Sequence, residues 1–304
     1  MKIFLAGATG VIGRRVIPLL VKKGYSVTAA VRSSAKAGIV ERLGADAREI
    51  DLFDGAKVEA VVKGHDVIIN LATSVPPSSR ALLPGAWRET GRVRRYVSAN
   101  LANAARETGA ARLIQESFAP IYADAGDEWI TETSTIKPAR YNKAVIDAER
   151  AAATFATGGA VGIVLRFAFF YGPDSAFTTD AINMVRNGWA PALGSPNGYI
   201  SSVSHDDAAT AVVAAISAPG GTYNVVDDDP LTRREFYNSL ADALGVAPPR
   251  FAPAWLQYVT GSVGRTLGRS QRISNSRLRS AGWAPRVRSV KVGWPLVLRE
   301  LPSR

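Results

Sequence analysis

The stretch "GATGVIG" at residues 7–13, set directly after the apolar run "KIFLA", most constrains what this chain can fold into. Glycines at positions 7, 10 and 13 allow a tight turn, close backbone approach and close helix packing. The following "VIGRRVIPLLVKKG" has helical periodicity and ends at Gly24. A strand feeding such a loop and helix offers free N–H groups and a positive dipole end to a pyrophosphate. Gly7, Gly10 and Gly13 are therefore cofactor-binding candidates, with Thr9, Val11 and Ile12 completing the loop.

The chain beyond the loop alternates short apolar runs with amphipathic segments. "SVTAAVR", "AREIDL", "DVIINLAT", "ARLIQES", "AVGIVLRFA" and "GTYNVV" read as further strands. "KAGIVERLG", "GAKVEAVVKG" and "RRYVSANLANAARETG" read as intervening helices. Such alternation implies βαβ units, giving an α/β fold of Rossmann type: a doubly wound parallel sheet with a smaller C-terminal substrate lobe. Residues 1–170 are assigned to the cofactor domain, with 203–227 returning to the sheet. Residues 171–202 and 228–304 form the lobe, with helical pieces near 179–187 and 233–244, over the strand ends where open α/β sheets bind ligands.

Composition narrows the chemistry. Zero cysteines exclude disulfides and thiolate sites, and two histidines make no zinc site; no metal is expected. No apolar run reaches the roughly 20 residues of a membrane span. The N-terminus starts a fold at once where an export signal would keep its apolar stretch, so a cytoplasmic location is the default. The net charge of +11 is uneven: residues 260–304 carry ten Lys/Arg against one acid, Glu300. A second basic run holds Arg80, Arg88, Arg92, Arg94 and Arg95 against Glu89. Clusters of this kind suit nucleic acid, membrane surfaces or anionic small molecules, or form a solvated face. A small-molecule substrate, anionic groups included, is the partner expected; a membrane is not, and nucleic acid is disfavoured.

NAD sites commonly place Asp or Glu about 20 residues past the glycine loop, to accept from ribose hydroxyls. The chain has Arg32 there. A guanidinium pairs with a 2′-phosphate instead, which selects NADP(H) over NAD(H). With these residues in place, the sequence resembles the extended short-chain dehydrogenase/reductase superfamily, near its NAD-dependent epimerase/dehydratase group. "GATGVIG" is similar to the family's cofactor loop. Asp51 and Leu52 resemble its adenine-holding pair, and "NLAT", with Leu71, Ala72 and Thr73, the segment along the cofactor. "LRFAFFYGP", "HDDAATAVVAAI", "GTYNVVDDDPLT" and "SRLRSAGWAPR" resemble later segments in the same order. The resemblance also implies a homodimer through helices flanking the sheet.

The same resemblance implies a catalytic tyrosine, a lysine four residues later that lowers its pKa, and a Ser or Thr after the fifth strand. Registered on Ala148–Glu149, the tyrosine is Tyr141 and the lysine position is Val145. Lys143 stands at i+2, about 200° around a regular helix from Tyr141. A helix capped by Asn142 would leave Tyr141 outside it and the geometry free. Ser117 is the only Ser or Thr offered by "IQESFAPIY"; Glu116 beside it is a further acid/base candidate. Phe169 replaces an asparagine the family often carries, so Phe167, Phe169, Phe170 and Trp189 suggest an apolar substrate pocket. His65 and His205 read as structural, and Asp227–Asp229 as closing a strand and capping the next helix. Three functions stay open: an NADP-dependent oxidoreductase or epimerase-like enzyme on a small carbonyl or alcohol, a non-redox lyase, isomerase or cyclase, and a non-catalytic NADP(H)-binding sensor or scaffold.

Overall fold

The computed structural model describes residues 1–83 and 85–301. Seven strands make one sheet: β1 Lys2–Ala6, β2 Ser26–Val31, β3 Asp46–Glu49, β4 Val67–Asn70, β5 Arg112–Phe118, β6 Val161–Phe167 and β7 Gly221–Val225. Their spatial order is β7-β6-β5-β4-β1-β2-β3, and every neighbouring pair is parallel. The chain winds outward from β1 to β3, then returns to β4 and winds the other way. That reversal opens a crevice at the carboxyl ends of β1 and β4.

Both faces are covered, which is why the central strands are apolar throughout rather than alternating. Ile3, Leu5 and Ile69 face helices α1 (Val11–Lys22) and α6 (His205–Ala215), which pack together on that side. Phe4, Ala6 and Ile68 face α2 (Gly55–Val62), α3 (Ser98–Glu107) and α4 (Val145–Phe155). A third core forms around Tyr171, Phe236, Tyr237 and the fully buried Trp294. It joins α5 (Ala176–Arg186), α7 (Arg233–Leu244) and α8 (Val290–Glu300). Short strand Phe169–Tyr171 leads out of β6 into this layer and pairs with Ser202–Ser204.

Four local expectations are corrected. Helix α4 begins at Val145, with Ala144 as its N-terminal flank, so Asn142 does not cap it. The helix before β5 starts at Arg88 and passes through a π-helical turn, Val93–Val97, before α3. The wider turn carries Arg94 inward to 5% exposure while Arg95 stays outside. Helix α7 is capped by Thr232 and Glu235 in a reciprocal capping box. Asp227 instead accepts from Ser202 Oγ at 2.9 Å, and Asp228 pairs with Arg279 and Arg288. Finally, β3 stops at Glu49 and leaves Asp51 and Leu52 in the turn beyond it. Among the described residues no helix is long and apolar enough to cross a membrane.

Candidate functional site

The glycine loop sits where β1 runs into α1. Gly7 adopts φ +79°, and a Cβ on it would lie 2.4 Å from the Leu71 carbonyl carbon and 2.7 Å from Ala72 N. A Cβ on Gly13 would lie 2.3 Å from Gly7 O. The loop is thus packed against the segment leaving β4, with room for no side chain at either point. Gly10 is the N-cap of α1 and no side chain caps the helix. The first-turn N–H groups, which include those of Val11 and Ile12, therefore face outward without an intrahelical partner. A bare cradle of this shape, at the positive end of a 12-residue helix, fits a dinucleotide pyrophosphate.

The other cofactor candidates lie around the same crevice. Arg32 follows β2 directly and is exposed, with no ion pair among the described residues. Asp51 Oδ1 accepts from Phe53 N at 3.0 Å, fixing the turn, and Asn100 donates to Leu52 O at 3.0 Å. Leu71 N bonds Ala6 O, so the "NLAT" segment continues alongside the glycine loop. Ala72 N is held by Asn70 Oδ1 at 3.1 Å, and Thr73 is exposed.

Tyr141 lies in the turn before α4, not on the helix. Its ring sits 4.7 Å from that of Trp87, centroid to centroid. Burial pushes its phenol up to about 12; the Thr266 hydroxyl and the Arg269 and Arg94 guanidiniums pull the other way and do not prevail. Val145 is completely buried, and Lys143 is exposed. The cations nearest the phenol in effect come from distant sequence, Arg269 and Arg94. Asn142 is 2% exposed, and neither of its amide atoms makes a hydrogen bond of normal geometry among the described residues.

Ser117 and Glu116 are both engaged elsewhere. Ser117 Oγ donates to Glu149 Oε1 at 2.5 Å. Glu149 also accepts from Arg166 Nε and Nη2 at 2.8 and 2.7 Å, and Arg166 Nη1 donates to Tyr122 Oη at 2.8 Å. Tyr122 Oη in turn donates to Asn224 Oδ1 at 2.7 Å. This chain of bonds ties β5, α4, β6 and β7 together. Glu116, 7% exposed, is gripped by Arg94 Nε and Nη2 at 3.0 and 3.2 Å, and the same guanidinium lies over the Phe118 ring. Both carboxylate oxygens are thus committed to one guanidinium in a bidentate pair.

The proposed aromatic residues do not converge. Phe169 meets Phe118 and Phe177, with ring centroids 6.1 and 6.5 Å away. Phe170 turns to Phe167 and His205 in the core against α6, while Trp189 is 47% exposed beyond α5. Two surface cavities, of about 300 and 280 Å³, lie away from Tyr141: one between α3 and α4, the other beside Trp129 and Asp228. Sequence reasoning missed Trp87, Arg94, Thr266 and Arg269. Arg94 and Arg269 were visible only as members of basic runs, with nothing in the spacing to single them out.

A fold of this topology with this cradle defines a nucleotide-binding α/β protein, and a family model described as NAD(P)H-binding matches residues 7–219. The chain belongs to that family. It is 31% identical to a 3-diazoavenalumate denitrifying reductase of a Streptomyces species, over 94% of this chain and 96% of the relative. It is 28% identical to the 4-hydroxy-2-methyl-3-oxo-4-farnesyl-3,4-dihydroquinoline-1-oxide ketoreductase of Stigmatella aurantiaca, over 81% of this chain and 74% of that one. Among solved structures, a human epimerase family protein crystallised with NADPH superposes with a TM-score of 0.83 at 18% identity, covering 99% of this chain and all of the other. The UDP-glucose 4-epimerase of Thermotoga maritima gives 0.80 at 21% identity, covering 98% of each chain. Both structural likenesses concern the fold.

Proposed function

We propose that this chain is an NADP(H)-dependent reductase of a small carbonyl-type substrate, with Tyr141 as a neutral phenol donor. The observation that carries the reading is the state of Tyr141: no lysine stands four residues on, and burial holds its pKa at about 12. Such a phenol keeps its proton at neutral pH. It has a proton to give to an oxygen gaining negative charge and no phenolate ready to take one from an alcohol, which fits reduction better than oxidation. The full-length relatives whose names are reductase and ketoreductase support the same direction.

The residues divide the work as follows. The Gly7, Gly10 and Gly13 cradle and the N-terminus of α1 would hold the pyrophosphate, and Arg32 the 2′-phosphate that separates NADP(H) from NAD(H). When bound, the dihydronicotinamide supplies a hydride. Tyr141 Oη supplies the proton to the substrate oxygen and regains one from solvent, so the carbonyl gains two electrons and two protons in all. Arg94 and Arg269 contribute positive potential that favours the oxyanion in transit. The engagement of Ser117 and Glu116 in buried pairs favours one second reading, a non-catalytic NADP(H)-binding protein.

NADPH consumption across a panel of aldehydes, ketones and quinones separates the two. Turnover with NADPH that vanishes in Tyr141→Phe supports the reductase. Tight NADPH binding with no turnover on any member would leave the binding protein standing.

A further inference from the structure

Three segments that share no secondary structure meet around Tyr141. Residues 75–83 and 85–88 include Trp87, whose ring lies tilted against that of Tyr141, and their turn Ser78–Arg80 touches α5. Residues 184–189 finish α5 and reach Trp189, whose backbone pairs with Arg250. Residues 250–265 then form short helices Leu256–Val259 and Gly261–Leu267, and the latter carries Thr266 to the phenol. The segments thus close a rim around one point of the molecule.

The rim has an unusual surface. Eight of the fifteen large apolar side chains exposed among the described residues fall in these three segments, including Leu83, Trp255, Tyr258 and Val259 at 53–69% exposure. The segments contain no Asp or Glu at all, yet carry Arg80, Arg88, Arg186, Arg250 and Arg265. All five arginines are exposed, and none forms an ion pair among the described residues. Elsewhere some exposed basic residues find acids, Arg95 with Asp147 and Arg48 with Asp46, while Lys22, Lys63 and Lys143, like Arg32, form no ion pair among the described residues. A solvated basic face needs no exposed Trp, Tyr and Leu, and a protein partner would have to bring acids of its own to five arginines that have none here. Apolar and aromatic side chains interleaved with unpaired arginines match the boundary of an anionic bilayer, where rings sit at headgroup level and guanidiniums meet phosphates.

We propose that this rim docks peripherally on an anionic lipid surface, with the Tyr141 side of the molecule turned to the membrane. Docking of this kind requires no spanning helix, and it departs from the expectation of no membrane partner. The docking stands on surface chemistry alone and holds whether or not the chain is a reductase.

The test is flotation of the full chain with vesicles of phosphatidylcholine alone and of phosphatidylcholine with roughly a third phosphatidylglycerol. Binding to the anionic vesicles only, weakened by salt, is the expected result. Leu83→Ser with Trp255→Ser should lower partitioning at least tenfold. Arg80→Gln with Arg265→Gln should lower it roughly thirtyfold at low salt, since each surface arginine is worth about a factor of five. These positions are exposed, so unchanged melting temperature and NADPH affinity serve as the folding control. Failure to float with anionic vesicles overturns the proposal, as does binding indifferent to lipid charge or to both double variants. Self-association that the same apolar changes abolish, without flotation, would assign the rim to a second copy of the chain and overturn it equally.

Discussion

Gly7→Ala isolates the cofactor cradle, because Gly24 offers the same backbone without the same contact. Gly7 has φ +79° and Gly24 φ +78°, so an alanine at either position is forced into the left-handed region at about 1–2 kcal/mol. Around Gly24 a Cβ would meet nothing within 4 Å; at Gly7 it would stand 2.4 Å from the Leu71 carbonyl carbon and oxygen. Restoring ordinary contact requires the Leu71–Ala72 backbone to retreat, an overpacking penalty of roughly 1–3 kcal/mol beyond the strain. That backbone is the wall along which the cofactor is expected to lie. Gly24→Ala should therefore lower the melting temperature by a few degrees and leave NADPH binding unchanged. Gly7→Ala should lower it about twice as far and weaken NADPH roughly 10- to 100-fold. Cofactor fluorescence and thermal melts on the two variants give both numbers. If Gly7→Ala is folded and binds NADPH like the parent, the dinucleotide does not use this loop and the assignment fails.

Other expectations follow from single residues. Tyr141→Phe should abolish carbonyl reduction while leaving NADPH affinity within a factor of two or so; because the phenol titrates at about 12, the parent enzyme's reduction rate should show no alkaline limb from Tyr141 below roughly pH 11. Arg32→Ala should weaken NADPH tenfold or more and leave NADH unaffected, measured by direct titration; equal losses would remove Arg32 from the 2′-phosphate. Glu149→Ala strands the buried Arg166 guanidinium and should destabilise the fold by about 3–5 kcal/mol in denaturant melts. His205, 4% exposed, has its pKa lowered to about 4 by burial and then by Arg15, so the folded state keeps it neutral. Its contribution is present above about pH 6.5 and is lost as pH falls toward 4, roughly 3 kcal/mol in all. His205→Gln should flatten that part of the stability profile, and an unchanged slope would contradict the assignment.

Most of the scaffold was legible along the chain because parallel strands buried on both faces leave continuous apolar runs. "KIFLA", "VIIN" and "VGIVLRF" stand as β1, β4 and β6 with nearly the expected ends. The glycine loop was equally legible, since its requirement is local: three residues without side chains between a strand and a helix. The catalytic neighbourhood was not. Counting residues on an assumed regular helix placed Lys143 on the wrong side of Tyr141, whereas the helix starts only at Val145 and the question of sides does not arise.

What the sequence determined by itself was the fold class, the cradle and the absence of a lysine at position 145, all consequences of short-range pattern. Tertiary structure alone decided the rest. A π-helical turn brings Arg94 inward to clamp Glu116, Ser117 is drawn to Glu149, and Arg269 arrives beside a tyrosine more than a hundred residues before it. Each pairing is a long-range encounter between buried charges or hydroxyls that must find partners once water is gone. Such partners are chosen by proximity in the folded core, which no spacing along the chain records.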